Sequence, residues 1–307
     1  ILLIAFVVLL SILALLPDAD VDHDAGYTAS ELSIRETVDE NVTSTSYVNS
    51  DGGITDAIDM GYATVCRMRD DNDRVVEERY LDASGNPVAR YGDYYGLSYE
   101  YEEASTVITY LDAKGNPMKR SAGYTTIVRT RAGGRASDDF YYDLNGRQVQ
   151  CSGGYYGLHR DYNSDGQNIS VTFLDKDGHA VCTSLGYAGV TYQRDGNGTV
   201  VGEQYFDTEW NPVKNSLGQY GELYQRNEQG FIGQITYLDA DGNPTPTNAG
   251  FTILRRTYHR DGTADTDMYF DANGNPKALS KGQYGIKRSG KVNLLLDRNG
   301  NNMLCVD

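Results

Sequence analysis

Apolar and polar residues alternate along most of this chain in short runs separated by Gly, Asn and Asp, the pattern of half-buried strands rather than helices. In one such run Ile169, Val171 and Phe173 share a face and Leu174 takes the other. Within the acidic tract near the start, TASELSIRE is the segment with helical character, and Ser30 is its expected N-cap.

The runs repeat. YLDASGNPV, YLDAKGNPM, YYDLNGRQV, FLDKDGHAV, YFDTEWNPV, YLDADGNPT and YFDANGNPK align without gaps on Asp82, Asp112, Asp143, Asp175, Asp207, Asp239 and Asp271, at intervals of 30 to 32 residues. Degenerate copies begin at Tyr47 and Leu295. A fixed period of this kind marks a repeat architecture in which stacked neighbours supply each other's burial. About ten residues after each anchor comes Gly followed by an aromatic, then a strand-like run, a tight turn such as HRDG, and a second strand. Each period therefore predicts one β-hairpin plus a broader Asp-x-x-Gly-Asn-Pro connection, with Pro expected to end the strand. Two columns recur before the anchor: Tyr, with Phe173 the exception, and then Leu81, Leu111, Tyr142, Leu174, Phe206, Leu238 or Phe270. Stacked copies place them in two ladders. The expected fold class is all-β: an elongated tandem β-hairpin array, either an open twisted sheet or a β-solenoid, occupying residues 43–307.

The first sixteen residues, ILLIAFVVLLSILALL, carry no charge, and Ser11 is their one polar side chain. At the helical rise they span roughly 24 Å. PDADVDHDAG, which follows, offers no small-x-small cleavage pair, so residues 1–16 read as an uncleaved transmembrane or signal anchor rather than a signal peptide. Residues 17–42 read as an acidic stalk. The acidic flank favours a single-pass orientation with the array outside the cell.

Composition narrows the chemistry. There are 25 Tyr against 7 Phe and 1 Trp, and 34 Gly against 7 Pro, which fits strands and turns. A net charge of −16 argues against nucleic acid as a partner, since phosphate binding needs basic clusters. Between Pro17 and Met60, 11 acidic residues face one basic residue, Arg35. The four cysteines form no CxxC pair and are read as free thiols; Cys151 and Cys182 occupy nearly equivalent places, so a ladder disulfide between them is the alternative. No catalytic motif stands in a suitable context, and the four histidines occupy different repeat positions. The anchor aspartates resemble half of a calcium loop, but Gly comes too early and no distant Glu follows, so they are assigned to Asx turns. No cofactor is expected.

Tyrosine is the remaining functional signal. Tyr80, Tyr110, Tyr141, Tyr205, Tyr237 and Tyr269 are expected in the core edge. Tyr95, Tyr124, Tyr156, Tyr187, Tyr220 and Tyr284, beside the Gly punctuation, are expected partly exposed and are the carbohydrate-binding candidates. MYFDANGNPK and TYLDADGNPT resemble the Tyr-Phe-Asp-x-Asn-Gly half of bacterial cell-wall or glucan-binding repeats. YYDLNGRQVQ is similar to the Tyr-Asp repeats of Rhs-type proteins, and the Gly-Tyr hairpins to MORN-like repeats. These resemblances cover the chain from about Tyr47 onward and imply a surface-displayed, non-catalytic bacterial module. The expected function is binding of cell-wall or extracellular polysaccharide, with residues 1–16 in the membrane. The alternative is a structural spacer or protein-interaction scaffold that displays, or is attached to, an envelope enzyme.

Overall fold

The computed structural model describes residues 25–289 and 292–303. The anchor expected over residues 1–16, and the first part of the stalk, lie outside the described residues. No helix among the described residues is long and apolar enough to cross a membrane.

Antiparallel strands and turns make up nearly all of the chain described, in two compact units. The unit Gly26–Tyr220 contains β1 (Ser33–Asp39), β2 (Val42–Val48), β3 (Thr64–Arg69), β4 (Val75–Leu81), β5 (Gly96–Tyr101), β6 (Ser105–Leu111), β7 (Thr126–Ala132), β8 (Arg135–Tyr142), β9 (Gly157–Tyr162), β10 (Asn168–Leu174), β11 (Gly189–Arg194) and β12 (Val200–Phe206). The unit from Gly221 onward contains β13 (Gly221–Arg226), β14 (Ile232–Leu238), β15 (Ile253–Tyr258), β16 (Ala264–Phe270), β17 (Gly285–Ser289) and β18 (Val292–Leu296). Within each unit every strand pairs with its neighbours in sequence, so the hairpins form an open meander and not the coils of a solenoid.

The strands begin earlier than the alternation suggests. β1 lies inside the tract read as stalk and pairs along its whole length with β2, from Ser33↔Val48 to Asp39↔Val42. All seven of its residues are exposed, so no apolar face announces it. The helical segment before it is a single 3-10 turn, Ala29–Glu31, capped by Thr28 and not by Ser30. The Thr28 N–H donates to the Glu31 carboxylate at 2.8 Å. Ile169, expected to share a face with Val171 and Phe173, is instead 38% exposed where they are buried. The β9–β10 register shifts between Asn168 and Ser170, and an extra residue there turns the side chain out.

The anchor aspartates are turn formers, as expected. Asp82 Oδ1 accepts hydrogen bonds from the N–H groups of Ser84 at 2.9 Å and Asn86 at 2.8 Å. The Gly85 N–H closes the loop onto the Asp82 carbonyl at 3.0 Å. The hairpin tips use the same device; Asp195 Oδ1 accepts from Asn197 and Thr199, each at 2.9 Å. Pro does not end the pairing. Leu81 bridges Pro87, and the Val88 N–H returns to the Tyr80 carbonyl at 3.0 Å. Only the residues flanking Pro need an N–H in this ladder, so the ring falls where no donor is required.

Candidate functional site

The strand tyrosines do not stack on one another. Between each pair sits a ring from the Gly-aromatic turn, giving the run Tyr47, Tyr62, Tyr80, Tyr94, Tyr110, Tyr124, Tyr141, Tyr155, Phe173, Tyr187 and Tyr205. Successive centroids lie 4.4 to 6.0 Å apart. In the other unit Tyr237, Phe251 and Tyr269 repeat the arrangement. Arg120 lies over the rings of Tyr94, Tyr110 and Tyr124 and pairs with Asp93 at 2.6 Å. Burial pushes the Tyr94 hydroxyl up to about 12, against an ordinary value of about 10.

This ladder divides the six candidate tyrosines. Tyr124 and Tyr187 are core rings, at 8% and 1% exposure, contrary to the expectation that they are partly exposed. Tyr95, Tyr156, Tyr220 and Tyr284 are half-buried and sit one residue later in the repeat. The ladder positions beside the first two of these are held by Tyr94 and Tyr155. Gly-Tyr and Gly-Tyr-Tyr look equivalent as strings, yet one residue of slip moves a side chain to another environment.

Once the columns are separated, a longer period emerges. The outer column reads Ala63, Tyr95, Thr125, Tyr156, Ala188, Tyr220, Thr252, Tyr284, a strict alternation of small residue and tyrosine. The small residues are fully buried, from 0% to 1% exposed. The residue before the anchor alternates in phase: Leu111, Leu174, Leu238 and Leu296 are buried, whereas Leu81, Tyr142, Phe206 and Phe270 are half-buried. The inner face alternates as well. Glu78, Asp139, Glu203 and Asp267 stand two residues before the ladder ring in one hairpin, and Ile108, Val171 and Ile235 in the next. The structural unit is therefore two hairpins, one carrying an inner acid and a small outer residue, the other apolar within and carrying the outer tyrosine.

The inner acids are held by side chains on the flanking strands. Asp139 receives both arms of Arg129, at 2.6 and 2.7 Å, and Arg160 at 2.7 Å. Asp267 is bound in the same way by Arg256 and Arg288. Glu78 accepts from Arg67 at 2.8 Å and from the Tyr99 hydroxyl at 3.2 Å. Burial alone would raise the Asp139 carboxyl, but the two guanidinium groups outweigh it and hold it below the ordinary carboxylate range.

On the outer side Tyr95 lines a shallow cleft of about 220 Å³ with Arg79, Leu81, Pro87, Ala113 and Lys114. The equivalent partners recur where the outer tyrosine recurs. Tyr142 bridges Gln148 beside Tyr156, Phe206 bridges Pro212 beside Tyr220, and Phe270 bridges Pro276 beside Tyr284. Lys214 lies 5.8 Å from the Tyr220 ring, and Trp210 packs on Phe206 at 5.2 Å.

One polar cluster does not follow the repeat, and its residues carry no motif that would announce it. His159 Nδ1 meets Asp138 Oδ1 at 2.8 Å and its Nε2 meets Asp161 Oδ1 at 3.3 Å, while Ser170 donates to Asp161 Oδ2 at 2.7 Å. Burial opposes the imidazolium, but Asp138 and Asp161 prevail and raise the His159 pKa. With both ring nitrogens committed to carboxylates, the imidazole has no lone pair for general-base work. Cys66, Cys151 and Cys182 are free thiols; Cys151 is buried and Cys182 exposed, and Cys305 lies outside the described residues.

No protein-family model matches the chain, and no curated protein matches it. Among solved structures it is similar to the Photorhabdus luminescens Tc holotoxin pore, at 10% identity and TM-score 0.23, over 83% of this chain and 15% of that one. A TcdB2-TccC3-TEV structure is 12% identical at TM-score 0.22, over 90% of this chain and 17% of that one. A porin-like protein from Bacteroides uniformis is 10% identical at TM-score 0.21, over 79% and 96%. This chain spans about 15% of the length of the first of these, and at such TM-scores the likenesses carry no argument.

Proposed function

We propose that this chain is a non-catalytic, surface-displayed repeat module that binds an extended polysaccharide of the cell wall or extracellular matrix. The observation that carries the reading is the recurrent outer pair, a half-buried tyrosine beside a half-buried Leu or aromatic, once per two hairpins. An aromatic face next to hydroxyl-binding side chains is the usual equipment for stacking a sugar ring, and repetition multiplies a weak site. The His159 cluster, with both nitrogens engaged, adds no catalytic group to this reading. Residues 1–16 supply the membrane anchor in this proposal, with the array outside the cell.

The test is retention on purified cell walls and on a glycan array. Wild-type chain is expected to be retained, and a Tyr95→Ala/Tyr156→Ala variant to elute early while melting at nearly the wild-type temperature. No retention on any envelope polymer would overturn the reading. The second reading, a spacer or protein-interaction scaffold, draws on the ladder, which gives so many of the tyrosines a structural task. A wild-type chain that captures a protein and no glycan would favour it.

A further inference from the structure

We infer that the outer edge of β1 is a docking site for an extended segment of another polypeptide, one that carries Arg or Lys two residues before an aromatic residue or Leu. The segment adds to the sheet as a further antiparallel strand. This site is independent of the polysaccharide reading, which concerns the outer tyrosines.

The edge is open in its backbone. Among the described residues β1 pairs with β2 and with no other strand. The Tyr47 N–H donates to the Ala63 carbonyl at 2.9 Å, and the Tyr47 carbonyl accepts from the Thr55 N–H at 3.1 Å, so both groups turn away from β1. Ile34, opposite Tyr47, is therefore in a non-hydrogen-bonded pair. It follows that Ile34, Glu36 and Val38 direct their N–H and C=O groups out of the sheet edge. The β1–β2 ladder keeps one register over seven residues, and no proline blunts the strand.

Interior seams show what covers such an edge. Between hairpins, the residue two before the ladder ring lies opposite an apolar residue of the next strand, as in Glu78↔Leu97, Ile108↔Ile127 and Asp139↔Leu158. Leu97, Ile127 and Leu158 are 3–6% exposed. Ile34 holds the same place opposite its own ladder ring and is 65% exposed. A strand of the kind that ends each hairpin would bury it.

Charge defines the segment. Two residues beyond this apolar place, the first strands carry the groups that hold the inner acids, such as Arg129 and Arg160 for Asp139. β1 carries Glu36 there instead, exposed, with no side-chain hydrogen bond or ion pair to any described residue. The polarity of the seam is thus reversed. An added strand satisfies Glu36 by placing a cation opposite Ile34, where other seams place an acid. This chain supplies no such strand. Its own second strands carry Thr, Glu, Asp, Ile, Val or Asn at that place, and residues 1–32 contain no Lys or Arg. The occupant is therefore a different polypeptide, held by main-chain hydrogen bonds and selected by its basic and apolar side chains.

Synthetic peptides spanning residues 74–88 are the probes, because β4 occupies the equivalent place on β5. Each is titrated into the full chain by calorimetry. The Glu78→Arg peptide is expected to bind about tenfold more tightly than the native peptide. A Glu77→Arg peptide has the same net charge but carries its guanidinium on the opposite face, and is expected to bind several-fold more weakly than the Glu78→Arg peptide. Glu36→Arg in the full chain is expected to reverse the order of the native and Glu78→Arg peptides. Val38→Pro removes an outward N–H that β2 does not use, and is expected to abolish binding while melting near the wild-type temperature. No binding by any peptide, or equal binding of the two arginine peptides, would overturn the proposal. Self-association of the chain that Val38→Pro abolishes, without peptide binding, would give the edge to a second copy and overturn it as well.

Discussion

At the scale of single residues, the turn that recurs in every copy holds the most informative exception. Its glycine takes a left-handed backbone, φ +90° at Gly115 for example, but the copy at Asp207 puts Trp210 there at φ +63°. A non-glycine residue in that region costs about 1–2 kcal/mol, and an aromatic pair such as Trp210 on Phe206 returns roughly 0.5–1.5 kcal/mol. Stability alone does not favour this tryptophan, and strain kept at an exposed ring is a sign of use. Trp210→Gly is expected to leave the melting temperature unchanged or raise it while weakening retention on the polysaccharide. A melting temperature several degrees lower would show that the ring serves the fold. The inner acids obey the opposite logic. Asp139→Asn removes the charge that satisfies Arg129 and Arg160 and is expected to cost about 3–5 kcal/mol in urea unfolding. Replacing the set together (Arg129→Met, Asp139→Leu, Arg160→Met) is expected to be neutral or stabilising. Because the folded Asp139 pKa is depressed, its contribution is present above about pH 3.9 and is lost as pH falls through the folded value.

At the scale of the element, the hairpin was readable because its punctuation is chemical: Asp followed by Gly between alternating runs, at a fixed period. Which tyrosine faces where was not readable, because Gly-Tyr, Gly-Tyr-Tyr and Gly-Gln-Tyr differ by one residue that strings do not weigh and pleats do. Aligning the small residues Ala63, Thr125, Ala188 and Thr252 against tyrosine would have separated the columns. β1 was invisible for another reason, since a strand exposed over all its residues has no hydrophobic pattern to read. The interleaved ladder also predicts cooperativity between neighbouring hairpins. Tyr124→Ala opens a cavity between Tyr110 and Tyr141 and is expected to cost about 3–5 kcal/mol, with Tyr124→Phe costing far less. Burial raises the hydroxyls of Tyr80, Tyr94, Tyr124, Tyr141 and Tyr155, to about 12 at Tyr94. Their contribution is therefore full below about pH 10 and is lost as pH rises through the folded value. Phenolate absorbance from the ladder and loss of strand circular dichroism should rise together in alkaline titration. Phenolate formation that runs to completion well before the sheet is lost would contradict this burial.

At the scale of the whole molecule, a two-hairpin unit has consequences that a one-hairpin unit does not. The anchor motif is the same in both kinds of hairpin, which is why the chain reads as a simple repeat of about 32 residues. The alternation resides in columns between the anchors, where acid follows aliphatic and tyrosine follows Ala or Thr. Neighbours are matched, because Arg160 on β9 needs the carboxylate of Asp139 on β8, and Ile108 on β6 offers none. Deleting residues 83–143 removes one complete unit and places β4, with Glu78, beside β9. Arg160 then finds a carboxylate at the position it expects, and the shortened chain is expected to melt cooperatively near the wild-type temperature. Deleting residues 113–143 removes a single hairpin and sets Arg160 against Ile108. A buried guanidinium without a partner is strongly destabilising, so this variant should melt far lower despite losing less of the sheet. In repeat arrays stability is roughly a sum of unit and interface terms, so the comparison isolates the interface. Equal melting temperatures for the two deletions would show that one hairpin is interchangeable with the next, and the two-hairpin unit would be a pattern in the sequence without energetic weight.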